Sequence, residues 1–188
     1  MTHFFLHWWR SWIDSEKNKK FFQRLCTYGS KILILPFGWT LESYDFDKYK
    51  EWFLKYNSDK ILCITSADSN VSKLIQQIIN NEIIFLGWWS VRKHIEILSE
   101  IPNLRDLLQN KIVAGVSAWA IVRGKSYYSS LKDSLGDWIG LIPIKTMAHR
   151  WPNNPWLDNK EREKLLDQYW EKFPIYKLPE QEYVEFTI

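Results

Sequence analysis

Short apolar runs alternate along this chain with segments that are apolar on one helical face only, and that alternation limits the fold more than any other feature. His3–His7, Lys31–Pro36, Lys60–Thr65, Ile83–Leu86 and Lys111–Gly115 read as buried strands. Between the first two, Asp14 or Ser15 can cap a helix carrying Phe21, Phe22 and Leu25, with Gly29 as a stop just beyond it. Phe46, Tyr49, Phe53 and Tyr56 share one face of a helix over Asp45–Tyr56. Val71, Leu74, Ile75, Ile78 and Ile79 mark another. A helix running to about Ser99 and a short one at Leu104–Leu108 precede the fifth strand.

Beyond a polar, Tyr-containing stretch at Lys125–Ser134, Gly140–Ala148 resumes an apolar extended pattern. Lys160–Lys172 reads as a charged helix, and Phe173–Leu178 and Tyr183–Ile188 as closing strands. Strands that are apolar throughout are covered on both faces. The expected fold is therefore an α/β three-layer sandwich with a mostly parallel central sheet, one domain over residues 1–188. Ligands of such folds bind at the carboxyl ends of the strands, here the loops starting at Phe37, Thr65, Gly87, Val116 and His149.

Several classes of function drop out. The net charge of +3 is too small to argue for nucleic acid. No apolar run approaches the roughly 20 residues that span a bilayer. His3–Ile13 holds three Trp but only Arg10 as a cation, so it lacks the basic face of an interfacial anchor. The first residues have neither a basic start nor a long apolar core, so a cytoplasmic protein without a signal peptide is expected. Cys26 and Cys63 sit in periodic apolar segments and read as buried, reduced thiols. His94 with His3 or His7 lacks metal-ligand spacing, and Gly87-Trp88-Trp89 lacks the Lys of a phosphate loop. No metal or other cofactor is expected.

One count is anomalous. There are 12 Trp and only 7 Gly, where average usage gives roughly 13 Gly in this length. The chain lacks the residue of tight turns and carries a surplus of the largest side chain. Stacking platforms for sugars or bases do not account for it, because the Trp are not spaced on one strand face.

Gly115-Val116-Ser117-Ala118-Trp119-Ala120 follows a buried strand and opens an apolar helix. A sharp turn there exposes a serine hydroxyl, and the next N–H, that of Ala118, can stabilise an oxyanion. A serine capping a helix is the plainer alternative. His149 ends the Gly140–Ala148 run and is either a general base or a structural histidine. Glu180, after Leu178-Pro179, is either an orienting acid or solvated surface. Together they follow the order Ser, His, acid, one of several chain orders that build a hydrolytic triad.

These motifs resemble the peptidase E group of serine peptidases, which share a fold with class I glutamine amidotransferases. Lys31–Phe37 resembles that family's strand and following loop, and Ile83–Ser90 its strand ending in Gly-Gly-Gly-Asn-Thr. Val113–Ala120 resembles its Gly-x-Ser-Ala-Gly-Ala elbow, Gly140–His149 its strand ending in Pro-His, and Lys177–Glu180 its Leu-Pro-Glu-Gly segment. The resemblance implies Ser117 as nucleophile, His149 as base and Glu180 as orienting acid, with Glu182 a fallback. It implies oxyanion donors at Ala118 and Trp88, and substrate contacts from Arg162, Trp89 and Trp119. The partner it implies is a small peptide substrate, with an N-terminal acidic residue as one option.

The departures share a pattern: Trp88, Trp89 and Trp119 stand where the family has Gly, and Trp138 is a further candidate. Glycine reaches positive φ and close approaches that an indole blocks. Three readings follow. The pocket is narrowed by aromatics, as in a degenerate peptidase or a non-catalytic binding protein on the same scaffold. Alternatively, the Trp are core residues. Or the chain is recoded, since some bacteria read UGA as glycine where another table writes Trp. Restoring Gly at 88, 89 and 119 gives Leu-Gly-Gly-Gly-Ser and Gly-Val-Ser-Ala-Gly-Ala. Trp8, Trp9, Trp12, Trp39 and Trp151 also stand at plausible turns, whereas Trp52, Trp156 and Trp170 read as genuine.

Overall fold

A computed structural model describes residues 1–7, 14–37, 42–87, 91–116, 126–129, 134–137, 139–147, 159–169, 172–177 and 183–188. Six strands form the main sheet: β1 (His3–His7), β2 (Lys31–Leu35), β3 (Cys63–Ser66), β4 (Ile83–Leu86), β5 (Ile112–Val116) and β10 (Tyr183–Thr187). Their order is β10-β1-β5-β4-β2-β3. All neighbours are parallel except β10, which runs antiparallel to β1 with Phe5 opposite Glu185.

Because successive side chains of a strand point to opposite faces, each apolar run feeds two cores. Phe4, Leu6, Leu33, Leu35, Ile84, Leu86 and Val113 enter one. It is covered by α3 (Val71–Asn80), α4 (Val91–Ser99) and α5 (Leu104–Leu107). Phe5, Ile32, Ile34, Phe85, Ala114 and Val116 enter the other, under α1 (Glu16–Leu25) and α2 (Glu42–Tyr56). Aromatic edges interlock there, Phe53 meeting Phe22 at 4.9 Å and Phe85 at 5.2 Å between ring centres. The result is the expected three-layer α/β sandwich with a mostly parallel sheet. Ser15 caps α1, its hydroxyl accepting from the Asn18 N–H.

The remaining strands pair apart from this sheet. β6 (Ser126–Ser129), β7 (Ser134–Asp137), β8 (Lys145–Met147) and β9 (Ile175–Lys177) form a four-stranded sheet in the order β7-β6-β8-β9. The polar stretch at 125–134 thus contributes one strand and the start of a second, paired antiparallel with Tyr128 opposite Leu135. Gly140–Ala148 behaves differently from its expected strand. Among its described residues only Lys145–Met147 joins a ladder, because Pro143 has no N–H to give and Ile144 N–H turns back to the Ile142 carbonyl at 2.8 Å. Leu141, Ile142 and Ile144 instead plug the first core.

Two smaller expectations shift. The third strand begins at Cys63 rather than Lys60, and it lies at the sheet edge. Cys63 is therefore exposed, whereas Cys26 is buried as expected, and burial pushes the Cys26 thiol up to about 11. Among the described residues, no helix is long and apolar enough to cross a membrane.

Candidate active site

The parallel strands of the main sheet end along one edge. Leu35 pairs with Leu86, Leu86 with Gly115, and Val116 with His7. Ser117 is the first residue after β5, whose five residues are all buried between β1 and β4. Trp88 and Trp89 follow Gly87, which directly follows β4. The strands leading to the other two triad candidates are neighbours in the second sheet. β8 and β9 run parallel with Met147 opposite Lys177, and His149 lies two residues past the first, Glu180 three past the second.

Ser117, Ala118, Trp119, Trp88, Trp89, His149, Glu180 and Glu182 themselves lie outside the described residues. Arg162 falls within α6 (Asn159–Gln168), its side chain also outside them. The described structure sets β8 and β9, which precede His149 and Glu180, side by side in one sheet, and β5, which precedes Ser117, in the other. Of the 12 Trp, Trp52 alone is among the described residues; it lies in α2 and stacks on Tyr56 at 5.2 Å.

No protein-family model matches the chain, and neither does any curated protein. Solved structures do. One is a crystal structure of a protein ascribed to peptidase E from Listeria monocytogenes EGD-e, 18% identical, with a TM-score of 0.63 over 99% of this chain and 94% of that one. Another is a peptidase from an acI-B1 Actinobacterium, 12% identical, with a TM-score of 0.68 over 98% of this chain and 83% of that one. The fold is that of peptidase E.

On this peptidase E fold, three polar side chains of the described structure are buried with no sign of it in the sequence. His7, the last residue of β1, is fully buried beside Val116, its ring 4.5 Å from that of Phe21. Neither of its nitrogens makes a hydrogen bond of good geometry, although the Asn18 amide lies close enough to favour the charged form. Burial outweighs Asn18 and holds the imidazole neutral down to about pH 4. His94, also fully buried, bonds through Nε2 to the Leu35 carbonyl at 3.0 Å. A carbonyl only accepts, so Nε2 carries the hydrogen.

Lys145 is the third. Its ammonium is buried and donates to the carbonyls of Leu166 (2.8 Å) and Asp167 (3.0 Å) at the end of α6. It caps that helix and favours its negative dipole end. The link fixes the end of α6 against β8, the strand that leads towards His149. A His or Lys inside a short apolar run carries no sequence mark of burial, so neither periodicity nor motif could flag these groups.

Proposed function

We propose that this chain is a serine hydrolase of small peptides, cytoplasmic and acting as one unit over residues 1–188. The observation that carries the reading is that the buried central strand β5 ends at the sheet's ligand-binding edge immediately before Ser117, in a peptidase E fold. In the proposed reaction the Ser117 hydroxyl attacks the scissile carbonyl while His149 takes its proton. Glu180 holds the histidine tautomer. The N–H groups of Ala118 and of residue 88 receive the oxyanion. As the tetrahedral intermediate collapses, the C–N bond breaks and His149 returns the proton to the leaving amine. Water, deprotonated by His149, then cleaves the acyl-enzyme ester. Arg162 would read a substrate carboxylate, which fits an aspartyl dipeptidase, and residues 89 and 119 would border the substrate.

The Trp at 88, 89 and 119 bear on this directly, since an indole at each glycine-type turn opposes the oxyanion geometry. We take them as UGA codons read as glycine in the source organism. TGG at those codons in the coding DNA removes that idea. The experiment for the activity is labelling with a serine-directed fluorophosphonate, in the chain as written and in the Trp88→Gly/Trp89→Gly/Trp119→Gly form. Labelling of Ser117 in the glycine form supports the hydrolase. No labelling in either form sinks it and leaves a non-catalytic binding protein, the reading that genuine Trp at these positions favours.

A further inference from the structure

The amino ends of β1 and β5 border a cavity of about 340 Å³ that the proposed reaction does not use. Its floor is apolar, formed by the buried side chains of Phe4, Leu108 and Leu141. Thr2 lines it too, but its hydroxyl hydrogen is already given to the Leu108 carbonyl at 3.0 Å. Ser117 follows the other end of β5, and the run from Ile112 to Val116 spans about 13 Å. The cavity therefore lies across the sheet from the proposed catalytic edge.

The mouth is polar. Arg105, Asp106 and Gln109 border it, and all three are exposed. Arg105 and Asp106 are consecutive in α5, where successive side chains point about 100° apart. They do not pair with one another, and neither side chain has an ion-pair or hydrogen-bond partner among the described residues. Other surface charges do find partners, Lys55 on Asp14 and Lys73 on Asp68. The Met1 ammonium at the same rim donates to Asn110 Oδ1 at 2.6 Å. The uncommitted charges at the mouth are thus one cation and one anion.

That combination selects among ligands. A plain anion drawn to Arg105 meets Asp106, and a plain cation drawn to Asp106 meets Arg105. A molecule carrying both signs meets an opposite charge on each side. The volume lies near the lower end of small-molecule pockets, roughly 300–1,000 Å³, which suits one amino acid better than a nucleotide or a long peptide. The floor accepts only an apolar side chain without loss. We propose that this cavity binds a free apolar amino acid, with its carboxylate on Arg105, its ammonium on Asp106 and its side chain against Phe4, Leu108 and Leu141. The site does not depend on what Ser117 does.

The test titrates L-phenylalanine into the full chain and follows backbone amides by NMR. Saturable shifts are expected at Thr2–Phe4 and Arg105–Gln109 and not at Leu35, Leu86 or Val116, with a Kd of about 1 mM or tighter. Two analogues each remove one charge: 3-phenylpropanoate lacks the ammonium and 2-phenylethylamine lacks the carboxylate. Each should bind about tenfold more weakly or worse. Arg105→Met should weaken phenylalanine by a similar factor and bring it level with 2-phenylethylamine. Asp106→Asn should bring it level with 3-phenylpropanoate.

No saturable shift at concentrations far above that Kd overturns the proposal. So do shifts confined to the carboxyl ends of β2, β4 and β5, because the amino acid would then occupy the other edge of the sheet. Analogues that bind as tightly as phenylalanine overturn the charge match, and parent-like binding in both variants overturns the assignment to Arg105 and Asp106. Both substitutions fall at exposed positions, where the fold should hold. If either variant fails to fold, the analogue series on the parent chain still decides the matter.

Discussion

The two sheets of this protein are built on different terms. In the main sheet, β5 is buried along its whole length between two parallel neighbours, and side chains fill cores on both faces. In the second sheet the ladders are three or four residues long, and the strand sequences include Ser-Tyr-Tyr-Ser and Ser-Leu-Gly-Asp. There a buried ammonium, that of Lys145, ties helix to strand. The strand to the proposed nucleophile belongs to the first kind, and those to the proposed base and acid belong to the second. The proposed site would draw one part from a sheet packed on both faces and the other from short ladders beside the Lys145–α6 tie.

The comparison can be broken most forcefully from the apolar side. Phe85 is fully buried, with Phe22, Phe53 and Tyr49 packed around its ring. Phe85→Ala should cost about 3–5 kcal/mol in denaturant unfolding, the scale of a large core cavity. A loss under about 1 kcal/mol would mean that the main sheet does not depend on this core.

The next effect comes from pH. His7 has an ordinary value of 6.5 once unfolded and about 4 when buried, so the unfolded chain binds the extra proton first. The stability that comes from keeping it neutral is complete above pH 6.5 and is lost as pH falls to about 4. The loss is on the order of 3 kcal/mol and then levels off, since both states are protonated below that point. His7→Phe should flatten this window in a series of denaturation curves against pH. An unchanged slope would place the acid sensitivity elsewhere.

Lys145→Met gives the smallest and most local change. It leaves two carbonyls at the end of α6 without their charged donor, at about 2 kcal/mol. Hydrogen exchange should rise in α6, β8 and β9 and stay at parent levels in β4 and β5. Equal protection loss in both sheets would show that they open as one unit and would end the distinction drawn here.

How much of this was legible follows the same division. Ile32–Leu35, Ile83–Leu86 and Ile112–Val116 could be read directly, because a strand covered on both faces must be apolar throughout. Ser126–Ser129 could not, because one polar-flanked Tyr pair has neither helical nor strand period. Ile142-Pro143-Ile144 misled, since its apolar content reflects entry into a core rather than a ladder. Ser117, His149 and Glu180 rest on resemblance and chain order, and the strands that precede them stand in the described fold. The burial of His7, His94 and Lys145 could not be read, because burial of a single polar side chain is decided by elements distant in sequence.

The pairing of β1 with β10 has a consequence for the order in which the protein can be made. β1 is complete once His7 leaves the ribosome, yet one of its edges waits for residues 112–116 and the other for residues 183–187. Until then it offers unpaired N–H and C=O groups beside Phe4, Phe5 and Leu6, the kind of edge that captures other chains. Contacts so far apart in sequence also close slowly. When β10 arrives, Glu185 docks at once on His3, Arg24 and Tyr28, which fastens β1 to a strand made about 180 residues later.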